Sequence, residues 1–127
     1  MNGKFKLKGY IFSRPFMGER VPQGIQNLFL REYCKRNCYH FDLSSVEYCM
    51  ENSFIHLNNL VSNMSEFDGI LAYSLFQLPN DPDLRQKLLL KLIKKKKSFH
   101  FAIENLIVNN KAALDQVNDL WAIKQSI

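Results

Sequence analysis

Four short apolar runs alternate with four amphipathic segments along this 127-residue chain, and the alternation constrains the fold more than any other feature. The runs lie at residues 8–12, 39–43, 70–73 and 98–103, and their aromatic and β-branched content is typical of β-strands. After each run, apolar residues recur at helical spacing. The helical segments begin near residues that favour a helix start, namely Pro22, Ser53, Asp81 and Asn110. This repeated β-α order predicts right-handed crossovers and a parallel sheet.

The predicted fold class is therefore α/β: a single-layer, four-stranded parallel sheet of order 2-1-3-4 with helices on both faces. Flavodoxin-like (Rossmann-like) and resolvase-like proteins have this architecture. A mass of 14.9 kDa predicts one domain, spanning residues 1–127. In such sheets, ligands bind outside the carboxyl ends of the strands, where the strand order reverses. The loops that begin at Ser13, Ser44, Ser74 and Glu104 are therefore expected to form the functional site.

The net charge of +5 comes from two local lysine runs. One run occupies residues 94–97, and the other consists of Lys4, Lys6 and Lys8; without these seven, the 17 basic residues become 10, against 12 acidic residues. The first run falls at a predicted helix end, where the helix dipole stabilises cations, and no aromatic residues are interleaved with it. The sequence therefore favours a solvated helix terminus and disfavours nucleic acid as a partner.

The cysteines and the absence of long apolar runs predict a cytoplasmic location. No apolar run is long enough to span a bilayer, and the chain opens with alternating lysines and no apolar leader. Cys34, Cys38 and Cys49 are an odd number, which fits free thiols in a reducing compartment. No metal site is predicted, because Cys34, Cys38 and His40 lack an evident fourth ligand, and no cofactor is implied.

The loop after the first strand carries candidates for binding an anionic ligand. Arg14 and Arg20 would hold a phosphate or carboxylate at the start of the next helix, with Gln23 beside them. Ser13 is a candidate nucleophile, although no histidine is placed as its base. The alternative is a surface loop whose arginines pair with neighbouring carboxylates.

Candidate catalytic carboxylates follow two of the other strands. Glu47 and Glu104 would divide acid and base work if their surroundings separate their pKa values. Tyr73, Ser74 and Gln77 would hydrogen-bond a ligand rich in hydroxyl groups. The alternative interpretation makes each carboxylate a solvated loop charge or an ion-pair partner of an arginine.

Two long segments carry a family resemblance. Residues 8–23 (KGYIFSRPFMGERVPQ) and 72–79 (AYSLFQLP), followed by 99–105 (FHFAIEN), resemble the sporadic carbohydrate cluster protein family. These small bacterial proteins are encoded among genes for surface-polysaccharide synthesis. The resemblance implies a role in making or modifying a cell-surface sugar polymer.

Two further resemblances concern the fold. Residues 9–13 (GYIFS) and the layout of residues 68–85 are similar to serine recombinase catalytic domains. However, residues 76–79 (FQLP) stand where that family has Asp-Arg-Leu-x-x-Arg, and Ser13 is one place off, so DNA strand exchange is disfavoured. Residues 10–16 (YIFSRPF) are similar to the opening of nucleoside deoxyribosyltransferases, which implies Glu104 as the counterpart of their nucleophile.

The leading hypothesis is an enzyme of bacterial surface-carbohydrate biosynthesis that acts on a sugar, a sugar phosphate or a nucleotide sugar. One alternative is a non-catalytic partner or regulator of such an enzyme. The other is a nucleic-acid-binding relative of serine recombinases that lacks their catalytic residues. A homodimer is consistent with the two fold-level resemblances.

Overall fold

A five-stranded sheet forms the centre of the fold, which the computed structural model describes for residues 5–126. The strands, in the spatial order β2-β1-β3-β4-β5, are β1 (Lys6–Phe12), β2 (His40–Glu47), β3 (Gly69–Ala72), β4 (Ser98–Phe101) and β5 (Leu106–Val108). The first four are parallel, and β5 is antiparallel to β4. The predicted α/β class and the order 2-1-3-4 are confirmed, and β5 is a strand that the prediction lacked.

The fifth strand exists because the chain reverses its direction directly after β4. Asn105 adopts a left-handed conformation with φ of 53°, which asparagine tolerates better than most residues. The predicted fourth strand consequently ends at Phe101 rather than Ile103, and the turn returns Leu106–Val108 alongside it. A strand of three residues is too short to show a period-two pattern, so sequence alone did not reveal it.

Four α-helices connect or follow the strands. They are α1 (Gln23–Arg36), α2 (Ile55–Ser62), α3 (Pro82–Lys94) and α4 (Lys111–Gln125). Two predicted helix caps are confirmed, since Asp81 Oδ1 accepts from the Asp83 N–H at 3.0 Å and Asn110 Oδ1 accepts from the Ala113 N–H at 2.9 Å. A short 3₁₀ helix, Leu75–Gln77, follows β3. No helix within residues 5–126 has the length and apolar character needed to cross a membrane.

The helices cover both faces of the sheet, but unequally. Leu30 and Tyr33 of α1 pack against Leu7 and Ile11 of β1 on one face. The other three helices share a larger core on the opposite face, which includes the single tryptophan, Trp121. This division follows from the topology, because the chain moves in one direction from β1 to β2 and in the other from β2 to β3 and on to β4. Right-handed crossovers therefore place α1 opposite α2 and α3.

The four parallel strands define two opposite edges of the sheet. The carboxyl edge is where β1, β2, β3 and β4 end, and the reversal of strand order between β1 and β3 opens a crevice there. The amino edge is the opposite side, where the same four strands begin. The sequence predicts the candidate site at the carboxyl edge, and the structure places Lys6 and Lys8 in the first half of β1 and residues 95–97 directly before β4.

Candidate functional site

Ser13 and Arg14 leave the end of β1 and bind the loop after β2. The Ser13 hydroxyl donates to the Glu47 carbonyl oxygen at 3.1 Å. The Arg14 guanidinium donates to the carbonyl oxygens of Tyr48 at 2.8 Å and Met50 at 3.1 Å. Arg14 is only 8% exposed, and its guanidinium also lies 4.2 Å from the centre of the Phe12 ring. Both side chains therefore hold this loop against β1.

The Glu47 carboxylate is buried and accepts hydrogen bonds from five donors. The Tyr10 hydroxyl at 2.8 Å and the Leu57 N–H at 3.1 Å donate to Oε1. Donors to Oε2 are the N–H groups of Tyr48 and His56, both at 3.1 Å, and the Ser53 hydroxyl at 3.4 Å. Burial, and next the charge of Glu47, raise the pKa of the Tyr10 phenol well above its usual range.

This arrangement makes Glu47 a cap for the start of α2. The N–H groups of His56 and Leu57 belong to the first turn of the helix and have no intrahelical acceptor. A carboxylate is favourable there because the helix dipole is positive at its amino end. Ser53, the predicted cap, does not bind the helix backbone and instead donates to Glu47.

A second polar group joins the end of β3 to the loop after β4. The Glu104 carboxylate accepts from the Ser74 hydroxyl at 2.7 Å and from the Leu75 N–H at 3.0 Å. Ser74 also caps the 3₁₀ helix, and the Gln77 side-chain oxygen accepts from the N–H groups of Tyr73 at 3.0 Å and Ser74 at 3.2 Å. Glu104, Ser74 and Gln77 together fix the backbone that turns away from β3.

Gln26 connects the strand ends at this edge, although it is not among the nine site residues predicted from the sequence. It is fully buried, exchanges hydrogen bonds of 3.0 and 2.9 Å with the backbone of Phe12, and accepts from the Gln77 side-chain amide at 2.8 Å. The two glutamines thus connect the ends of β1 and β3 across the crevice. A signal was present in the sequence, because Gln26, Leu30 and Tyr33 recur at spacings of four and three residues on one helix face.

The candidate site residues do not converge on one cavity. An open cavity of about 200 Å³ at this edge is lined by Arg14, but Ser13, Glu47 and Glu104 are not among its lining residues. Arg20 and Gln23 are exposed on the surface. Tyr73 is half-buried, and its ring packs edge-on against the ring of Phe29, with centroids 5.4 Å apart. The catalytic and substrate-binding roles of the nine candidates stay predictions, and the contacts of most of them bind loop to loop.

The two lysine runs lie together at the amino edge. Strand pairing aligns Leu7 with Gly69 and Gly69 with Ser98, so the residues just before them, Lys6, Asp68 and Lys97, are neighbours across three strands. The group formed by Lys6, Lys8, Lys95, Lys96 and Lys97 is called the lysine edge below. Lys4 lies outside the described residues.

The lysines of the lysine edge differ in exposure: Lys95 and Lys96 are exposed, whereas Lys6, Lys8 and Lys97 are half-buried. Lys95 Nζ donates to the Val61 and Ser62 carbonyl oxygens at the end of α2, at 2.7 and 3.3 Å. Within residues 5–126, the one ion pair joins Lys111 to Asp115, so no lysine of the lysine edge has a carboxylate oxygen within 4.0 Å. Asp68 nevertheless lies between Lys6 and Lys97 in the strand register. The cavity of about 410 Å³ beside Lys95 and Lys97 is otherwise lined by residues 62–65, which carry hydroxyl, amide and thioether groups.

Helix α1 buries a different face from the one predicted. Helical spacing in the sequence predicts that Ile25, Leu28, Phe29 and Tyr33 form an apolar stripe facing the sheet. The first three of these are instead 43%, 55% and 42% exposed. Leu30 and Tyr33 are buried in their place, and Tyr33 is the one member of the predicted stripe that faces the sheet.

The homodimer expected from the sequence stays a prediction.

Two solved structures share this fold. The N-terminal catalytic domain of TP901-1 integrase is 19% identical in sequence, with a TM-score of 0.60 over 93% of this chain and 94% of that one. A resolvase family site-specific recombinase from Streptococcus pneumoniae is 11% identical, with a TM-score of 0.64 over 94% of this chain and 89% of that one. No protein-family model matches the chain, and neither does any curated protein. The predicted fold-level resemblance to serine recombinase catalytic domains is confirmed.

These findings correct the leading functional hypothesis. A carbohydrate-biosynthesis enzyme with a sugar, sugar phosphate or nucleotide-sugar ligand is the wrong prediction, because the similar structures are an integrase and a site-specific recombinase. The resemblance to the carbohydrate cluster family gains no support from any family model. The expectation that nucleic acid is a disfavoured partner is corrected by the same two structures. At the carboxyl edge, the side chains of Ser74 and Gln77, which the sequence predicted to contact sugar hydroxyls, are hydrogen-bonded to other groups of the chain.

Proposed function

We propose that this chain binds nucleic acid through the lysine edge and uses its recombinase-type fold for binding, without strand-exchange chemistry. The observation that carries the proposal is the meeting of two lysine runs, far apart in sequence, at one edge of the sheet. Cations clustered on one surface are the electrostatic footprint of a phosphate-backbone site. DNA is the first polymer to test, because the two structures that share the fold are an integrase and a site-specific recombinase.

The carboxyl ends of α1 and α3 add further positive charge at the amino edge of the sheet. α1 runs from the carboxyl edge back to the amino edge, and its last turn carries Lys35 and Arg36, both exposed. The last turn of α3 carries Lys91 and Lys94 in the same way. Net positive charge on one edge raises both the affinity for a polyanion and its rate of association.

The contacts of Gln77 and Ser13 at the carboxyl edge are the reason that the proposal excludes strand-exchange chemistry. Gln77 stands at the first arginine of the recombinase pattern, and both ends of its amide are bound within the chain, to Tyr73, Ser74 and Gln26. The Ser13 hydroxyl donates to a backbone carbonyl rather than facing a base. In this proposal Glu47 and Glu104 hold loops in place. Nucleic-acid binding also fits the cytoplasmic location expected from the sequence.

The test is a fluorescence-anisotropy titration with labelled DNA at several salt concentrations. The double variant Lys96→Ala/Lys97→Ala removes two charges and leaves Lys95, which caps α2, in place. Removing one lysine–phosphate ion pair makes the slope of log K against log salt shallower by roughly 0.7–0.9. We expect the double variant to bind about ten-fold or more weakly near 0.1 M salt, with a slope shallower by about 1.5.

The matched control removes the same number of charges from the opposite edge. Arg20 is exposed in the loop after β1, and Lys124 lies near the Phe76 ring beyond the end of β3. Arg20→Ala/Lys124→Ala should bind as the native chain does. If both double variants lost DNA affinity equally, net charge alone would explain the effect, and the assignment of binding to the lysine edge would be contradicted. No binding by the native chain at low salt would refute the function itself.

A further inference from the structure

A cavity of about 320 Å³ opens at the lysine edge, and an exposed aromatic ring lines it. The lining residues are Phe5, Asp68, Ile93, Lys96, Lys97, Ser98 and Asn109. Phe5 is 36% exposed, and its backbone oxygen accepts from the His40 N–H at 2.8 Å, which ties its position to β2. No residue pattern predicts this juxtaposition, because Phe5 is more than ninety positions from the lysines beside it.

We propose that the chain binds single-stranded nucleic acid, with one unpaired base stacked on Phe5 in this cavity and the adjacent phosphates on Lys96 and Lys97. This inference rests on the proposed function and names its substrate class. A base presents a flat π-face that stacks on an aromatic ring irrespective of sequence. In a duplex the bases stack on one another, so an unpaired base is the form that can reach the ring.

The packing behind Phe5 supports its use as a stacking platform. Its ring centroid lies 4.9 Å from that of Tyr39 and 5.8 Å from that of the buried His100. The inner side of the ring is therefore supported by other rings, and the exposed part faces the cavity. A side chain held in this way loses little conformational freedom when a base stacks on it.

The charges around the cavity favour a base inside it and phosphates outside. The one acidic lining residue, Asp68, has its carboxylate bound to the Lys6 N–H at 2.7 Å. A carboxylate repels phosphate, but it tolerates a neutral base and can accept from a base amino group. Asn109, exposed at the rim, carries an amide that can donate to or accept from a base edge. Lys96 is exposed and Lys97 half-buried, so both can reach the backbone of a bound strand.

The experiment compares a labelled single-stranded dT 12-mer, a U 12-mer of the same length and a 12-base-pair DNA duplex. The variant Phe5→Leu keeps an apolar side chain against Tyr39 but removes the π-face. We expect the native chain to prefer the single strands, and Phe5→Leu to weaken them by about five-fold or more while leaving the duplex affinity unchanged. The two single strands distinguish DNA from RNA as the source of the base. Phe29→Leu, at an exposed aromatic residue on α1, is the matched control and should bind as the native chain does.

A second variant provides a direct optical test. In Phe5→Trp the new indole lies at the cavity, whereas Trp121 is only 2% exposed. Addition of the dT 12-mer should quench the new fluorescence by stacking, and addition of the duplex should not. Duplex binding that depends on Lys96 and Lys97, with no effect of Phe5→Leu and no quenching, would overturn the inference and leave the proposed function standing. Failure of the native chain to bind any of the three polymers would refute both.

Discussion

Replacement of Glu47 by glutamine tests whether this carboxylate is a structural cap. The variant Glu47→Gln keeps the side-chain shape but turns one acceptor oxygen into an NH₂ group. If Oε1 keeps the Tyr10 hydroxyl and the Leu57 N–H, the new amide faces the N–H groups of Tyr48 and His56. The Ser53 hydroxyl can rotate to accept, but the two backbone donors cannot.

The cost follows from those two unpaired donors. A donor left without its acceptor in the protein interior costs about 1–3 kcal/mol. Because the hydrogen bonds of the Tyr48 and His56 N–H groups are only partly buried, each should cost near the lower end of that range, and the variant should lose about 2–3 kcal/mol of unfolding free energy. That loss is a large fraction of the roughly 5–15 kcal/mol that stabilises a domain of ordinary size. A catalytic carboxylate would behave differently, because its removal commonly leaves stability unchanged or raises it.

Urea denaturation followed by the fluorescence of Trp121 measures the change, since that side chain is buried in the larger core. The matched control is Glu51→Gln, an exposed glutamate on the same loop, which should change the unfolding free energy by less than about 0.5 kcal/mol. A loss of under about 1 kcal/mol in Glu47→Gln would refute the capping argument.

Three further predictions concern buried groups. Burial lowers the pKa of His100 to about 4, whereas the pKa in the unfolded chain is near 6.5. The neutral imidazole therefore contributes about 3 kcal/mol to the unfolding free energy above pH 6.5, and this contribution is lost as the pH falls towards 4. The melting temperature should drop in that window, and should drop less in His100→Gln. Gln26→Leu strands the amide of Gln77 and the backbone of Phe12, and should destabilise the chain by about 2–4 kcal/mol in urea denaturation; a neutral effect would contradict the lock between the strand ends. Burial raises the pKa of the Cys34 thiol to about 11, so a thiol reagent at pH 8 should modify the exposed Cys38 rapidly and Cys34 only on unfolding; equal rates would contradict the packing of α1.

The first four strands were predictable, whereas β5 was not. Each of the first four strands carries a run of apolar residues, and right-handed crossovers then leave few possible strand orders. The apolar pattern did not predict which face of α1 is buried. The buried residue nearest the start of this helix is Gln26, and a pattern of apolar residues does not include a polar side chain. Its partners, the backbone of Phe12 and the side chain of Gln77, are set by the tertiary fold.

The positions of the candidate carboxylates were predictable, but their partners were not. Glu47 is the last residue of β2, which continues past the end predicted at residue 43 and includes Ser44, and Glu104 lies just after β4. The groups that bind them are largely backbone N–H groups of α2 and of the 3₁₀ helix, which no residue pattern encodes. A carboxylate at the end of a strand can therefore act as a catalytic acid or can hold a loop in place. The sequence alone favoured the catalytic role.

The lysine edge depends on register, which sequence reveals least. Lys6 and Lys97 lie on either side of Asp68 only because β1 and β4 both pair with β3 in a particular alignment. The ring of Phe5 reaches the cavity beside Lys97 for the same reason. In the sequence, residues 94–97 form a helix terminus without aromatic neighbours. In the folded chain, Lys6 and the ring of Phe5 lie at the same edge of the sheet as these lysines.

The most direct test of the central claim is a chemical-shift map of the ¹⁵N-labelled chain titrated with the dT 12-mer at low salt. The account predicts shifts of backbone amide signals at the amino edge, around residues 5–8, 62–68 and 95–98, with little change near Ser13, Ser74 and Glu104. Shifts concentrated at the carboxyl edge, or spread without a centre over both edges, would contradict it.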